Sequence, residues 1–329
     1  MGTILDIKRL AVEFHTNDGV VKALNGVDLK LEEGTTLGLV GETGAGKTTL
    51  SKAVMRLIQC PPGKIVSGEI LYEGRDLLKL SREEMQKICG KQISMIFQDP
   101  MTALNPVMTV GEQIAEVVRI HERLSRTDAV RRACEMMELV GLRAERLDDY
   151  PHQFSGGMKQ RVVIAIALSC SPRILIADEP TTALDVTIQA QVLDLIAQLQ
   201  KKMNTANLLI THDLGVVAQT CQKIAIMYAG EILESGTVRD VLKHPGHPYT
   251  IGLINSIPKI HVRENRLHPI NGLMPDPTNL PKGCPFCPRC QYASERCQLE
   301  RPRSQILEGE HTVRCFLAGR QFEEEAAHE

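Results

Sequence analysis

Gly41 to Thr48, within "GLVGETGAGKTTL", carries the spacing G-x4-G-K-[ST] between an apolar run and a helical one. Gly41, Gly44 and Gly46 allow a tight loop whose N–H groups turn inward toward phosphate oxygens, and the helix that follows adds the positive end of its dipole. Lys47 supplies charge to the β- and γ-phosphates, and the Thr48 hydroxyl is placed for Mg²⁺. The intervening Glu42, Thr43 and Ala45, with Thr49 just beyond, are expected to border the same nucleotide. Farther on, "RILIADEPTTALD" ends an apolar run with two adjacent carboxylates. Asp178 would hold Mg²⁺ through water, and Glu179 would orient an attacking water as general base. "HQFSGGMKQRVVIAIAL" offers the Ser155 hydroxyl and the bare N–H groups of Gly156 and Gly157 at a helix start. That is a second anion grip, which the phosphate loop of the same chain does not need, so it points to a nucleotide clamped between two chains.

A different chemistry gathers near the end. "KGCPFCPRCQYASERC" contains Cys284, Cys287, Cys290 and Cys297, and Cys315 follows. Cys284, Cys290, Cys297 and Cys315 are spaced C-x5-C-x6-C-x17-C, while Cys287 makes C-x2-C pairs with both neighbours. Four thiolates suit either a structural Zn²⁺ or an iron–sulfur cluster. Without a metal they would be reactive thiols in a proline-rich loop. The remaining cysteines, Cys60, Cys89, Cys134, Cys170 and Cys221, are scattered in apolar or helical contexts and read as ordinary packing residues.

These groups need a scaffold. "ILDIKRLAVEF" and "GVDLKLEEG" read as strands separated by turns, and "TLGLVG", apolar on both faces, suits a central parallel strand. Residues 109–141 carry helical spacing for two helices, with Gly141 as the stop. "RILIAD" and "NLLITH" are again short buried strands, separated by the helical "VTIQAQVLDLIAQLQKKM". Strand, helix, strand at this spacing implies βαβ units and a parallel sheet. After about residue 240 proline accumulates, which disfavours long helices and suggests a loop-rich accessory region with its boundary near residues 241–258.

Composition narrows the function. The 43 % apolar and 24 % charged content is that of a folded globular protein, and a formal charge of -2 argues against nucleic acid as a partner. No apolar run is long enough to span a bilayer, and the first residues lack a signal-peptide core, so a cytoplasmic chain with reduced thiols is expected.

Over roughly residues 3–240 the sequence resembles the ATP-binding-cassette (ABC) ATPases. "FSGGMKQR" stands where that family's signature usually reads LSGGQ; Phe154 and Met158 depart from it, while Ser155, Gly156 and Gly157 are kept. The resemblance implies an α/β P-loop NTPase core with a parallel sheet, an N-terminal antiparallel β subdomain and a helical subdomain at about 99–170, together spanning 1–240. It implies Gln98 in "ISMIFQDP" as the Q-loop glutamine, contacting Mg²⁺ or the attacking water. His212 in "LLITHD" becomes the switch histidine at the γ-phosphate, and Asp185 in "TTALD" the aspartate at the dimer seam. Phe14 in "AVEFHTNDG" resembles the aromatic residue that stacks on adenine, although a lone strand Phe also suits a core.

The tail, residues 241–329, narrows the branch. "HPGHPYTIGLINSIP" and the cysteine-bearing segment resemble the ATPase subunits of bacterial dipeptide and oligopeptide importers. By that resemblance ATP and Mg²⁺ drive closure and hydrolysis reopens a dimer with a second ATPase chain, identical or homologous. The dimer would sit peripherally on the cytoplasmic face of the inner membrane. It would bind two transmembrane permease subunits fed by an extracytoplasmic peptide-binding protein. In the same branch such a tail is associated with a [4Fe-4S] cluster at Cys284, Cys290, Cys297 and Cys315, with Cys287 as a spare or alternative ligand and Zn²⁺ as the competing metal. Relatives with similar ATPases import nickel or sugars. A soluble ABC ATPase acting on nucleic acid or ribosomes is the other class considered, but it would normally bring long heptads or two cassettes, and neither pattern occurs here.

Overall fold

The computed structural model describes residues 2–182, 184–257 and 270–319. Strands β1 (Thr3–Thr16) and β2 (Gly19–Glu32) form a long antiparallel hairpin, which β4 (Gly63–Tyr72) and β5 (Arg75–Asp76) extend into a four-stranded sheet of order β2-β1-β4-β5. Strand β3 (Thr36–Val40) leaves this layer and enters a second sheet. It is flanked in parallel by β8 (Ala206–Thr211) and β9 (Lys223–Tyr228), and β7 (Ile174–Asp178) and β6 (Ile93–Ile96) continue the parallel order. All five β3 residues are buried, which is why that strand carries no polar alternation. Leu37 and Leu39 pack toward the antiparallel layer and helix α1 (Lys47–Val54), whereas Val40 faces the helical side.

Helix α2 (Arg82–Ile88) opens on a Ser81–Glu84 capping box and leads to β6; α3 (Pro100–Ala103) follows it. The stretch expected to form two helices does so. Helix α4 (Val110–Glu122) starts on Thr109 with Glu112 as its reciprocal cap, and α5 (Arg126–Leu139) starts on Ser125. Gly141 stops the second with φ 73°. Helix α6 (Gly156–Leu168) is apolar nearly all round and runs through the core between these helices and the central sheet. Helix α7 (Val186–Met203) coincides with the helical run read between the two buried strands, and α8 (Leu214–Thr220) connects β8 to β9.

The tail differs from expectation in one respect. Its helices are short, as the prolines require: α9 (Val238–Lys243), α10 (Pro248–Asn255) and α11 (Glu295–Leu299). It also contributes two short strands that no expectation included. Strands β11 (Gln305–Glu308) and β12 (His311–Val313) join the central sheet by antiparallel pairing of β12 with β10 (Glu231–Thr237), at Glu234↔Val313 and Ser235↔Thr312. Three- and four-residue strands, one of them largely exposed, are too brief for periodicity to reveal. Among the described residues no helix is long and apolar enough to cross a membrane.

Candidate nucleotide site

The phosphate loop sits where β3 ends and α1 begins. At Gly41 a Cβ would lie 2.1 Å from the Met227 carbonyl oxygen, so only glycine lets the loop leave the sheet there. The Lys47 ammonium is folded back, donating to the carbonyls of Gly41 (2.6 Å) and Glu42 (3.0 Å). Burial pushes its pKa below the usual lysine range, and the charges of Glu179, Asp178 and Glu42 push the other way. At the tip of β7, Asp178 accepts from Thr48 Oγ1 and Ser51 Oγ, each at 3.3 Å. Burial raises the Asp178 pKa and those two hydrogen bonds lower it. Thr48 and Asp178 thus bring two hard oxygen donors together, the chemistry Mg²⁺ takes when phosphates and water complete its shell. Ser51, one turn on in α1, had no signal in the loop spacing.

Gln98, Glu179 and His212, far apart in sequence, meet beside the loop. Gln98 Nε2 donates to Glu179 Oε2 at 3.2 Å, Thr182 Oγ1 donates to the same oxygen at 3.0 Å, and His212 Nδ1 lies 3.6 Å from Glu179 Oε1. Glu179 has φ 47°, a left-handed backbone uncommon for a non-glycine residue, held by its N–H donating to Ile210 O at 2.9 Å. The bend aims the carboxylate past the strand tip into a cleft of about 720 Å³. Thr43, Gly44, Gly46, Lys47, Thr48, Thr49, Gln98, Glu179 and His212 line that cleft, and Phe14 lines it too while also packing on the core beneath the antiparallel sheet. Glu42 and Ala45 are in the loop but not among the lining residues; Ala45 is buried beneath it. Two walls escaped the sequence reading: Val21, Lys22 and Ala23 on β2, and Met274–Pro277 from the tail. The tail wall lies more than 220 residues from the loop, beyond any local motif.

The signature residues are elsewhere. Ser155 caps α6 without using its side chain, Ser155 and Gly156 are exposed, and neither they nor Gly157 line the cleft. A Cβ on Gly157 would meet Ile188 Cγ2 of α7 at 2.7 Å, so the signature packs against the helix that Asp185 caps by accepting from Ile188 N at 2.9 Å.

The metal expectation for the tail is not supported by side-chain placement: among the described residues no group of three or more His, Cys, Asp or Glu side chains is arranged to hold a metal ion. All five tail cysteines are free thiols. Burial first, then the charges of Cys297, Cys315 and Cys290, push the Cys284 thiol to about 12. Cys290 is pushed to about 11 by burial and by Cys315, Cys297 and Cys287. Two of the sulfurs have local partners: Cys297 Sγ lies 3.3 Å from Ser294 Oγ, and Cys315 Sγ accepts from Leu317 N at 3.4 Å.

Similarity to known proteins agrees with this geometry. Residues 24–182 match the family described as "ABC transporter", and residues 233–297 match "Oligopeptide/dipeptide transporter, C-terminal region". The chain is 51 % identical to the oligopeptide transport ATP-binding protein OppD of Bacillus subtilis, over 95 % of this chain and 88 % of that one. It is 53 % identical to the dipeptide transport ATP-binding protein DppD of Lactococcus lactis, over 88 % and 84 %. Among solved structures, the dimeric ATP-binding cassette MJ0796 in a post-hydrolysis state bound to ADP and Pi superposes with a TM-score of 0.64 at 27 % identity, over 71 % of this chain and 99 % of that one. The chain belongs to the ABC transporter family, in the branch of oligopeptide and dipeptide transport ATP-binding proteins.

Proposed function

We propose that this chain is the Mg²⁺-dependent ATPase subunit that powers import of dipeptides or oligopeptides. The observation that carries the reading is the meeting of Gln98, Glu179 and His212 at the mouth of a phosphate-loop cleft, in a chain whose tail matches the peptide-transporter type. Bound Mg²⁺ supplies charge for the phosphates, with Thr48 and Asp178 as its protein-side oxygens. Lys47 turns from its own loop carbonyls to the β- and γ-phosphates. Glu179 accepts the proton of an attacking water, which Gln98 and His212 orient. Phe14 packs against the base. Ser155, Gly156 and Gly157, all outside the cleft and the first two exposed, face the nucleotide of a second ATPase chain, with Asp185 at the seam. Residues 1–240 form the nucleotide-binding unit, with helices at about 99–170, and 241–329 form the transporter-type tail. Two transmembrane permease subunits bind the dimer at the cytoplasmic face of the membrane, and an extracytoplasmic peptide-binding protein delivers substrate. Reconstitution with the permease in vesicles tests the reading: peptide uptake should require ATP and fail with Lys47→Ala. ATP-independent uptake would refute it.

The finer part concerns the tail cysteines. A [4Fe-4S] cluster, with Zn²⁺ as the competing metal, is assigned to Cys284, Cys290, Cys297 and Cys315, Cys287 being the spare. What supports it is donor type and spacing: thiol donors at C-x5-C-x6-C-x17-C in a tail that matches the peptide-transporter type. Anaerobically purified protein should then contain about four iron atoms per chain. Colourless protein with stoichiometric zinc overturns the cluster.

A further inference from the structure

The phosphate loop is held from outside by the tail. Arg289, in the "CPRC" between Cys287 and Cys290, reaches across 247 positions to Glu42, and its Nη1 donates to both carboxylate oxygens at 3.0 and 3.1 Å. The Arg289 side chain is only 5 % exposed. Its remaining donors are also placed: Nε on Asn271 O at 3.0 Å, Nη2 on Ile270 O at 3.2 Å, and Nη1 near Tyr228 Oη at 3.4 Å. Glu42 has a second anchor, since its backbone N–H donates to Tyr249 Oη at 3.1 Å. Tyr249 itself packs against Tyr228 and Phe286, with ring centroids 4.7 and 5.4 Å away.

An independent contact brings the same arm against the cleft itself. Lys22 N donates to Pro277 O at 3.0 Å, which pins Met274–Pro277 to β2, and Met274 Cε lies 3.0 Å from where a Gly44 Cβ would stand. The arm therefore touches the loop at Glu42 and at Gly44, and Met274–Pro277 form a wall of the cleft beside β2.

We propose that the tail is a working part of the nucleotide site, with Arg289 a positioning residue that fixes the phosphate loop through Glu42 while Met274–Pro277 form the outer wall of the nucleoside pocket. The inference rests on the cleft being the ATP site. A buried guanidinium whose three nitrogens each meet an acceptor is held in one position, so the Glu42 carboxylate and the loop behind it inherit that position. The arm then acts on binding, because the loop is pre-arranged for phosphate, and leaves the Glu179 chemistry alone.

The test is MgATP affinity of the full chain by calorimetry, with steady-state hydrolysis beside it. Arg289→Met should weaken MgATP by about tenfold and raise KM similarly with kcat within about twofold, whereas Arg289→Lys should recover part of the loss. Glu42→Gln should weaken it by about fivefold, and the double variant should be no worse than Arg289→Met alone, since both remove one interaction. Should Arg289→Met not fold, Glu42→Gln, altered at a partly exposed side chain, decides the matter. Unchanged affinity in the folded variants, a fall in kcat without a change in KM, or losses that multiply in the double variant overturn the inference. Lys47→Ala separates the two levels. If it abolishes binding while Arg289→Met and Glu42→Gln do not weaken it, the positioning role alone falls; if it binds ATP normally, the site reading falls too.

Discussion

In the cleft, Gly41, Lys47 and Thr48 lie within eight residues of one another and shape their loop locally. At the root of the tail, by contrast, the Glu234 carboxylate takes its partners from two segments more than 60 residues apart. It accepts from Gly246 N (2.7 Å), His247 N (3.0 Å) and Thr250 Oγ1 (2.5 Å), and its Oε1 lies 2.7 Å from His311 Nε2. Both regions gather charge, but to different ends. The cleft leaves its carboxylate Glu179 at the edge of solvent, with only side-chain donors and a histidine around it, ready to act on a ligand. The tail surrounds Glu234 completely, so that its charge organises structure. "HPGHPYT" thus has a physical meaning: it is the wrapping of one buried carboxylate by the start of α10.

The sharpest way to break this comparison is to remove Glu234. Glu234→Ala leaves buried donors and His311 without their acceptor, which should cost about 3–5 kcal/mol of stability in denaturant titration. A loss below about 1 kcal/mol would mean that the tail is held by its β12 pairing and aromatic packing instead. Removing the cleft carboxylate should do the opposite. Glu179→Gln should keep the fold and MgATP binding while slowing turnover by at least about 10²-fold. Turnover near that of the unaltered chain would take the general-base role from Glu179.

How much of this was legible follows the same division. Glycine and lysine spacing, the apolar strand before Asp178 and the helical spacing of 109–141 with its Gly141 stop are local, and the elements they predicted formed where expected. The convergence of Gln98, Glu179 and His212 was legible only through family resemblance, because β6, β7 and β8 carry no sign of their neighbours in sequence. The Arg289–Glu42 pair and the Met274–Pro277 wall were not legible at all. A lone arginine among cysteines reads as part of a metal loop, and nothing in "CPRC" says that it turns away toward a strand end. The cysteines show the reverse failing: their spacing suggested a metal more strongly than the placement of their sulfurs does.

A third experiment asks whether the exposed signature completes the cleft of another chain. With hydrolysis blocked by Glu179→Gln, light scattering should show an ATP-dependent dimer and none with ADP, because only ATP carries the phosphate that Ser155 and Gly157 would grip. Affinity for self should favour ATP over ADP by at least about tenfold, the effect of one charge-assisted phosphate contact. A monomer under both nucleotides would count against self-pairing and direct attention to a second, different ATPase chain.

The last effect expected is a pH dependence confined to the tail. His247 is fully buried, and burial lowers its pKa to about 3. Its Nδ1 accepts from Tyr249 N at 3.0 Å and its ring packs at 5.7 Å on Phe286, so the folded chain holds it neutral. Unfolded, the same imidazole titrates at its ordinary 6.5. The folded pKa is the lower of the two, so below pH 6.5 the unfolded state binds a proton that the folded state refuses. Stability from this residue is therefore intact above the unfolded pKa and falls with pH, by at most about 1.4 kcal/mol per pH unit, until the folded pKa is reached. His247→Asn isolates the contribution: asparagine can still cap α10 by accepting from Tyr249 N but does not titrate. The nearby Glu234 and His311 are common to both chains and cancel in the difference. Denaturation midpoints at pH 7, 6 and 5 should show the unaltered chain losing stability faster than the variant. Parallel curves would mean that the root of the tail opens to solvent and that Glu234 is less completely enclosed than its four partners indicate.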